Sequence, residues 1–541
     1  MIRLAAALLL TTWTLAAEVQ VDATVPWMDQ DGWTPVIITV TSERAMALEV
    51  TATQNTAETT TVLQVQPGRN APVTVLVPTR PESGGSVDIR WRGPGGNRGI
   101  TNAGSASSRS FDLVLVDPDE QVSSKNVLTQ VKTAISEPPV DPREPSWSRH
   151  RGSKSGYPDD RLRRVTGDQL PDRWQGYPLW MTLIVSSSGE RHLTLGQRQA
   201  IAAWTRAGGR LLVDTPQQVA PWRALGARVD QLTTPTVVGR LQQLVDQGGF
   251  RPERLAVPGT GGLPVLGFTI IAVLFALLAG PGAMWWATRR GQRSLILVAV
   301  PVLSAGTCLV LVVYGLVADG LEVRRAVVQG LLLDQTNGRG LAVTGLGLFA
   351  GLAPGAFPLD PEERLVPFEP RLFDNEAWRS RGNVPTVAID GAGRAVGWVP
   401  ARQNVQLLSV RPVAERRRLV FTPTTDGWKV LNGFDRPLTD LSWCSGDGGA
   451  WHATGPLAPG AEAVLVAGAT EIRPPGRELG LEWESEWRAL LGANATSTLQ
   501  PPGTYSARFA SPLFPIPGPG AVDAAPPQML VFGRVAPGTA P

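Results

Sequence analysis

The chain has little of the chemistry on which most metalloenzymes and disulfide-stabilised domains depend. Its 541 residues include two cysteines, Cys308 and Cys444, and three histidines, His150, His192 and His452. Cys308 lies inside a long apolar run and Cys444 in the C-terminal half, so we expect no disulfide between them. The histidines have no carboxylate or thiol at ligand spacing, so we expect neither a metal site nor a cofactor.

The charge pattern argues against a nucleic acid partner. Lys and Arg total 50 against 47 Asp and Glu, which gives a net charge of +3, and the positive charges form no polybasic block. The chain also contains 58 Gly and 47 Pro. Turns must therefore be frequent, and we expect soluble regions that are rich in short strands.

Two long apolar runs without a charge divide the chain into two large halves. They cover residues 263–287 and 295–317, and each reaches the length of about 20 residues that a helix needs to cross a bilayer. We predict a transmembrane hairpin with a turn at 288–294, so the lipid bilayer is an expected partner. The alternative is a buried helical hairpin in a soluble enzyme, which is uncommon for uncharged runs of this length.

The residues around the turn predict the orientation of the hairpin. Trp residues suit the headgroup layer, and Arg residues concentrate on the cytoplasmic side of a membrane. We therefore predict a cytoplasmic turn and two extracytoplasmic halves. Residues 1–17 agree, because an early positive charge followed by a short apolar stretch is typical of a signal peptide. The residues expected to anchor and orient the hairpin are Trp285, Trp286, Arg289, Arg290 and Arg293.

Each soluble region has its own strand and helix pattern. Residues 18–109 contain short β-branched runs with alternating polar positions, which predict a β-sandwich, and the Gly- and Ser-rich stretch 93–110 is expected to be a linker. Residues 110–255 alternate apolar strands with a helix at 194–207, which predicts a parallel sheet covered by helices. Residues 320–535 return to strands. The predicted fold class is a multidomain α+β membrane protein with a C-terminal β-rich domain.

Two stretches resemble a known family. The run LTLGQRQAIAAWTRAGGRLLVD (193–214) looks like part of the class I glutamine-amidotransferase-like (GATase-like), flavodoxin-like domains of exported bacterial membrane proteins. The run DGWTPVIITVTS (31–42) resembles the opening of the β-sandwich that precedes such domains. The resemblance implies a flavodoxin-like α/β domain and a place at the bacterial cytoplasmic (inner) membrane.

The chain departs from the active members of that family at the nucleophile. These use a cysteine on a strand-to-helix elbow, whereas here the second predicted strand is followed by Ser186, Ser187, Ser188 and Gly189, and the domain has no cysteine. A hydrolase with Ser187 or Ser188 as nucleophile and His192 as base is an alternative. Because the G-x-S-x-G pattern is absent, capping and turn roles for the serines are favoured.

An insertion at 137–177 interrupts the α/β region and is dense in Pro, Arg and Asp. Mixed charge without an apolar pattern predicts a solvated loop, and a partner-binding flap is the alternative. The candidate partner-binding residues are Trp147, Arg149, Arg151, Arg163, Arg164 and Trp174.

These patterns favour a non-enzymatic, membrane-anchored scaffold or interaction protein of the bacterial cell envelope, with two extracytoplasmic arms and envelope proteins as partners. The sequence shows no phosphate-binding loop, and no charge inside either span that a transporter would need. Two other functions stay open. One is the hydrolase or amidotransferase-like enzyme, and the other is an extracytoplasmic ligand sensor that uses the cleft of an open α/β sheet.

Overall fold

The computed structural model shows an α+β protein in which strands predominate. It describes residues 19–27, 32–55, 57–78, 86–103, 113–120, 122, 162–178, 181–207, 209–227, 229–231, 255, 257–258, 265–290, 296–335, 338–367, 387–425, 427–453, 455–468 and 503–535. The predicted signal peptide, most of the predicted cytoplasmic turn and four candidate residues lie outside these ranges. The four residues are Trp147, Arg149, Arg151 and Arg293.

Two sheets pack face to face near the N-terminus. Side chains such as Val36 and Ile38 from the first sheet and Val50 and Ile89 from the second share one buried core. The first sheet contains β1 (Val19–Thr24), β2 (Trp33–Ser42), β5 (Gly68–Arg69) and β6 (Val73–Pro78). The second contains β3 (Met46–Gln54), β4 (Ala57–Val65), β7 (Val87–Arg92) and β8 (Arg98–Ala103). Because β8 pairs with β7, the prediction of a linker at 93–110 is wrong for that part.

The C-terminal half adds strands to this second sheet. β18 (Val387–Ile389) pairs in parallel with β4, so that Val387 lies opposite Ala57. β19 (Arg394–Val396) and β16 (Phe357–Pro358) then extend the sheet. This pairing corrects the expected division into two separate arms, since a segment after the apolar runs completes a sheet that begins before them.

A parallel sheet lies between these regions in the sequence. Its order is β10-β9-β11-β12-β13, which is one of the common orders of doubly wound α/β sheets. The strands are β9 (Leu113–Val116), β10 (Leu162–Val165), β11 (Thr182–Val185), β12 (Arg210–Val213) and β13 (Val229–Gln231). The helices that follow β11 and β12 are α1 (Ser187–Arg191), α2 (Leu195–Arg206) and α3 (Pro216–Ala224). As predicted, Thr194 caps α2, because its hydroxyl accepts a hydrogen bond from the Gln197 amide.

Ten strands of the described C-terminal residues form one large sheet, in the order β17-β20-β15-β14-β29-β27-β23-β24-β26 with β28 beside β14. The bounds are β14 (Val323–Asp334), β15 (Arg339–Ala350), β17 (Arg364–Pro367), β20 (Asn404–Ala414), β23 (Leu438–Cys444), β24 (Ala450–Ala453), β26 (Val466–Ala467), β27 (Thr504–Phe509), β28 (Val522–Asp523) and β29 (Gln528–Arg534). A small sheet covers part of it and consists of β21 (Leu419–Thr424), β22 (Gly427–Asn432) and β25 (Glu462–Val464).

The two faces of the large sheet are buried against different partners. Along β14, Leu331 and Leu333 belong to the core shared with the small sheet, whereas Leu332 belongs to the core shared with the α/β region. This alternation follows from the two-residue period of a strand. On the α/β side, Trp204 of α2 lies in the same core as Phe532 of β29. The large sheet therefore joins the small sheet and the parallel sheet into one body.

The two predicted apolar runs form helices on the outside of this body. The first comprises α4 (Val265–Leu277), a π-helical turn Leu278–Gly282 that contains Pro281, and α5 (Ala283–Arg289), and the second is α6 (Ile296–Asp319). Their most apolar windows are only 6% and 0% buried, although both helices are long and apolar enough to cross a membrane. Such exposure does not fit a helical hairpin in a soluble core, and it suggests a membrane protein.

The soluble regions meet at the junction turn, which we define as residues 170–178. Main-chain carbonyls of this turn accept hydrogen bonds from distant side chains, at 2.6 Å from Trp27 Nε1 to Gly176 O and at 3.2 Å from Arg364 Nη1 to Tyr177 O. In the other direction, Trp174 Nε1 donates to Glu362 O at 3.1 Å. These contacts link the N-terminal sheets, the α/β region and the C-terminal half. Both halves must therefore lie on the same side of any membrane that the helices cross.

Next to the junction turn, Trp33 of β2 donates from Nε1 to the carbonyl of Leu365 at 2.8 Å, and this bond is buried. We expect Trp33→Phe to destabilise the protein, because the Leu365 carbonyl loses a buried donor. Trp443→Phe is the matched control, since Trp443 is also buried but its Nε1 has no partner among the described residues. Chemical unfolding should show that Trp33→Phe costs about 1–3 kcal/mol more than Trp443→Phe. Equal losses would contradict a role for this hydrogen bond.

A buried carboxyl group lies at the same contact. Glu363 is 8% exposed, accepts a hydrogen bond from Ser409 Oγ and has its carbonyl close to Gln175 Nε2. Burial raises the pKa of Glu363 above 4.5, although the Ser409 hydrogen bond and the charge of Arg411 oppose the rise. The folded protein therefore holds a proton on Glu363 at pH values where the unfolded chain has lost it.

The sign of the resulting pH dependence follows from linkage. Between pH 4.5 and the raised pKa, the folded state binds more protons, so Glu363 makes stability fall as the pH rises. We expect Glu363→Gln, which keeps an oxygen that accepts from Ser409, to remove this fall. Unfolding measured from pH 4 to 8 should show the variant gaining stability relative to the unmodified protein as the pH increases. A constant difference over that range would contradict the prediction.

Candidate functional site

The carboxyl ends of the parallel strands bring several polar side chains together. Asp117 follows β9, Ser186 to Ser188 follow β11, and Asp214 follows β12. β9 and β11 are neighbours, although the strand that follows β9 in the chain lies on its other side. Such a reversal of strand order is the position at which open α/β sheets bind ligands. We therefore treat this edge as the candidate functional site.

Asp117 is the centre of the site and is fully buried. Its Oδ2 atom lies 2.9 Å from Nη1 of Arg164 and accepts a hydrogen bond from the Val122 amide at 2.8 Å. Its Oδ1 atom accepts from the hydroxyls of Ser186 at 3.1 Å and Ser188 at 3.0 Å. The carboxylate thus has a paired charge and donors at both oxygens, which is the condition for a stable buried ion.

Ser186 has a second role as the N-cap of α1, where its hydroxyl accepts a hydrogen bond from the Gly189 amide at 2.9 Å. Gly189 itself lies against β9, because a Cβ atom built there would be 2.2 Å from the carbonyl oxygen of Val116. Only a glycine allows this approach. The capping role that the sequence favoured for the serines is therefore present at Ser186.

Asp214 forms a smaller cluster beside this one. Its Oδ2 atom accepts from the amide of Ser187 at 3.2 Å and from the Ser187 hydroxyl at 3.3 Å. Its Oδ1 atom is buried without a hydrogen-bond partner among the described residues. The same residues contain no group of three or more His, Cys, Asp or Glu side chains that could hold a metal ion. This edge of the sheet is therefore polar, and most of the hydrogen bonds described for it join residues of the edge to each other.

The serines and the histidine of the hydrolase alternative are close in the chain, but their side chains form hydrogen bonds to other groups and not to each other. Nδ1 of His192 lies 2.9 Å from the carbonyl oxygen of Ser188, within the end of α1. The Ser188 hydroxyl is directed to Asp117 and the Ser187 hydroxyl to Asp214. The geometry expected of a nucleophile and its base, a hydrogen bond from a serine hydroxyl to the imidazole, is not formed among these groups.

The described part of the predicted partner-binding loop is folded into the protein. Arg164 belongs to β10 and pairs with Asp117, and Trp174 is 2% exposed in the junction turn. Arg163 is half-buried on the same strand, and burial lowers the pKa of its guanidinium. The prediction of an exposed loop is wrong for these three residues, because a parallel strand and a buried turn follow from residue 162 onward.

Four of the five residues that we expect to anchor the hairpin, Trp285, Trp286, Arg289 and Arg290, lie within or directly after α5. The guanidinium of Arg289 lies 4.8 Å from the ring centre of Trp285, and that of Arg290 lies 4.9 Å from the ring centre of Trp286. Trp285 is 61% exposed. Exposed Trp rings with neighbouring guanidinium groups suit the interface between acyl chains and headgroups.

Asp117 and Asp214 were missed as site residues by the sequence reasoning. Each directly follows a continuous apolar strand, in FDLVLVD and RLLVD. An acidic residue at the end of a buried parallel strand is a signal that could have identified both. The partner of Asp117 could not be identified in that way, since Arg164 lies 47 residues away in the chain.

Comparison of the sequence with protein-family models and with curated proteins gives no match. The resemblance to glutamine-amidotransferase-like domains therefore stays an expectation from two stretches of sequence. The description of the site depends on its geometry alone.

The close contact at Gly189 gives a test of the site's construction. Gly189→Ala should push α1 away from β9 and destabilise the protein by about 3 kcal/mol, because the new Cβ would meet the Val116 carbonyl at 2.2 Å. Gly196→Ala is the matched control in α2, where the nearest atom would be 3.9 Å away. Thermal unfolding should show the control unchanged or stabilised by up to about 1 kcal/mol. A mild effect at Gly189 would contradict the tight packing.

Proposed function

We propose that this chain is a non-enzymatic, membrane-anchored scaffold or interaction protein of the bacterial cell envelope. The observation that carries the proposal is the combination of one large extramembrane body with two exposed apolar helices. Residues from before and after the helices pair in the same sheet, as β4 and β18 do. A hairpin that leaves the body, crosses the membrane and returns to the same body is an anchor.

The candidate site supports a structural role for the α/β region. The strand order of its sheet is that of flavodoxin-like folds, which place ligands at this edge. Here the edge is occupied by the Arg164–Asp117 ion pair and by serines that bond to Asp117. A ligand at this edge would compete with an ion pair whose carboxylate, Asp117, is fully buried while Arg164 is 28% exposed. Removing the partner of a buried charge costs several kcal/mol.

The orientation is proposed from the charges beside the hairpin turn. Arg289 and Arg290 follow the exposed Trp pair at the end of the first helix, and short loops between two spans that are rich in Lys and Arg favour the cytoplasmic side. The body then lies outside the cytoplasm, at the cytoplasmic membrane, where it is accessible to envelope proteins.

The test is purification of the full chain from its own membranes in mild detergent, with quantitative identification of the proteins that accompany it. A scaffold should retain the same partners at the same stoichiometry in the unmodified protein and in the Ser187→Ala/His192→Ala double variant. The reason is that neither side chain is needed for packing between the sheets. A chain recovered alone, or partners lost only in the double variant, would contradict the proposal.

Sidedness is checked in the same cells with single cysteines and a membrane-impermeant maleimide. Val464→Cys, at a position 63% exposed on the small sheet, should react in intact spheroplasts. Ser294→Cys, in the turn between the apolar runs, should react only after the membrane is permeabilised. The opposite pattern would place the body in the cytoplasm.

A further inference from the structure

Both connections of the hairpin meet the same end of the large sheet. After α6, the chain passes Gly320 and enters β14 at Val323. The carbonyl of Gly320 lies against Gly351 at the end of β15, where a Cβ would be 1.8 Å from that oxygen. The Gly351 amide also donates to the Glu322 carbonyl at 3.2 Å. The exit of the helix is therefore in direct backbone contact with the sheet.

The segment before the hairpin is held at the same end. Val257 is buried with Ala326 of β14 and Phe349 of β15. The carbonyl of Leu255 lies against Gly347, where a Cβ would be only 1.7 Å from it. We call this end of the large sheet, from which the helices leave, the proximal end.

The proximal end exposes large apolar side chains at the tips of its strands. Leu321, just before β14, is 57% exposed, Leu352, just after β15, is 52% exposed, and Val522 of β28 is 54% exposed. The register places these positions together, because Val323 lies opposite Ala350 and Arg324 opposite Val522. The proximal end also carries charged residues, namely the exposed Glu322 and the ion pair of Arg325 with Asp523. At the opposite end, the paired strands β14, β15 and β29 carry Asp334, Arg339 and Arg534.

Two arginines stand at the last turns of α6. The guanidinium of Arg402 is 3.5 Å from the Cβ position of Gly315, and that of Arg324 is 3.5 Å from the Cβ position of Gly320. Arg402 is exposed and is held by a left-handed backbone (φ 58°) and by a hydrogen bond from its amide to the Ala350 carbonyl at 2.6 Å. Long cationic side chains at the end of an apolar helix reach the headgroup layer.

We propose that the proximal end of the large sheet is a phospholipid-binding surface. It lies in the headgroup layer, with Leu321, Leu352 and Val522 at the boundary of the acyl chains and Arg324 and Arg402 beside lipid phosphates. The proposal rests on the proposed membrane anchoring and goes beyond it, because it holds the body against the bilayer instead of leaving it on a flexible tether.

A bilayer is the occupant that the observations favour over a protein. Leu321 lies two residues after the end of α6, and the strand register places Leu352 and Val522 at the same end of the sheet, so once the helices cross a membrane this end faces it. A combination of apolar side chains that enter the interface and Arg side chains that remain at the phosphates is typical of interfacial binding. Phosphate is common to zwitterionic and anionic lipids, so the surface needs no particular headgroup.

The test uses the full chain in phosphatidylcholine liposomes, with Cys308→Ser to remove the exposed thiol while the buried Cys444 remains. A single cysteine at Leu352 or Val522 carries a fluorophore, and lipids with a nitroxide on the headgroup act as quencher. Val464→Cys is the matched control. It is 63% exposed but lies near Trp428, which packs on Trp443 at the opposite end of the large sheet.

We expect quenching at positions 352 and 522 to exceed that at 464 by at least about threefold, as for residues within the interface. Arg402→Gln combined with Arg324→Gln should reduce the quenching at 352 while the chain stays in the membrane. Equal quenching at all three positions would overturn the proposal. A label at position 352 that neither aqueous iodide nor the nitroxide lipid quenches would also overturn the proposal, because protein and not lipid would then cover the surface.

Extraction with alkaline carbonate separates this result from the proposed anchoring. A chain that carbonate releases is not membrane-spanning, and the proposed function and the lipid surface then fail together. A chain that resists carbonate but shows no difference in quenching keeps its anchor and loses only the lipid surface.

Discussion

The structure depends on the exchange of hydrogen bonds around the junction turn. A turn in a soluble body leaves main-chain carbonyls that must find donors when it is buried. Here the donors are the indole of Trp27, in the segment after β1, and the guanidinium of Arg364 in β17. Because each donor comes from a region that is distant in sequence, none of the three regions can satisfy the turn alone. The burial of this turn therefore adds to the β4–β18 pairing and to the cores of the large sheet in joining the soluble regions.

At the candidate site, too, buried polar groups find their hydrogen-bond partners on other segments of the chain. The carboxyl edge of a parallel sheet collects polar side chains, since each strand ends there beside its neighbours. In this chain Asp117, at the end of β9, pairs with Arg164 of β10 on one side. It accepts hydrogen bonds from the hydroxyls of Ser186 and Ser188, which follow β11 on the other side. An edge that elsewhere receives a ligand is thus stabilised by its own residues. This arrangement holds α1 and β10 against the end of β9.

The two apolar helices constrain where the two halves of the chain can lie if the helices cross a membrane. Because β4 and β18 pair across the hairpin in sequence, the two halves cannot lie on opposite sides of a bilayer. The contact of Gly320 with Gly351 further leaves little freedom between α6 and the large sheet. The direction in which α6 enters β14 therefore sets the orientation of the large sheet relative to α6.

Much of the local structure could be predicted from the sequence. Two uncharged runs of sufficient length specify the helices, because no other structure satisfies the backbone in an apolar environment. Short apolar and β-branched runs located strands such as β2, β14 and β15, and Thr194 marked the start of α2. These features depend on periods of two or about 3.6 residues within one segment.

Only the tertiary structure decided which segments pair. The addition of β18 to β4, the ion pair of Arg164 with Asp117 and the burial of Trp174 each join residues that are far apart in the chain. No local pattern carries that information, because the partner of a buried polar group is chosen by packing.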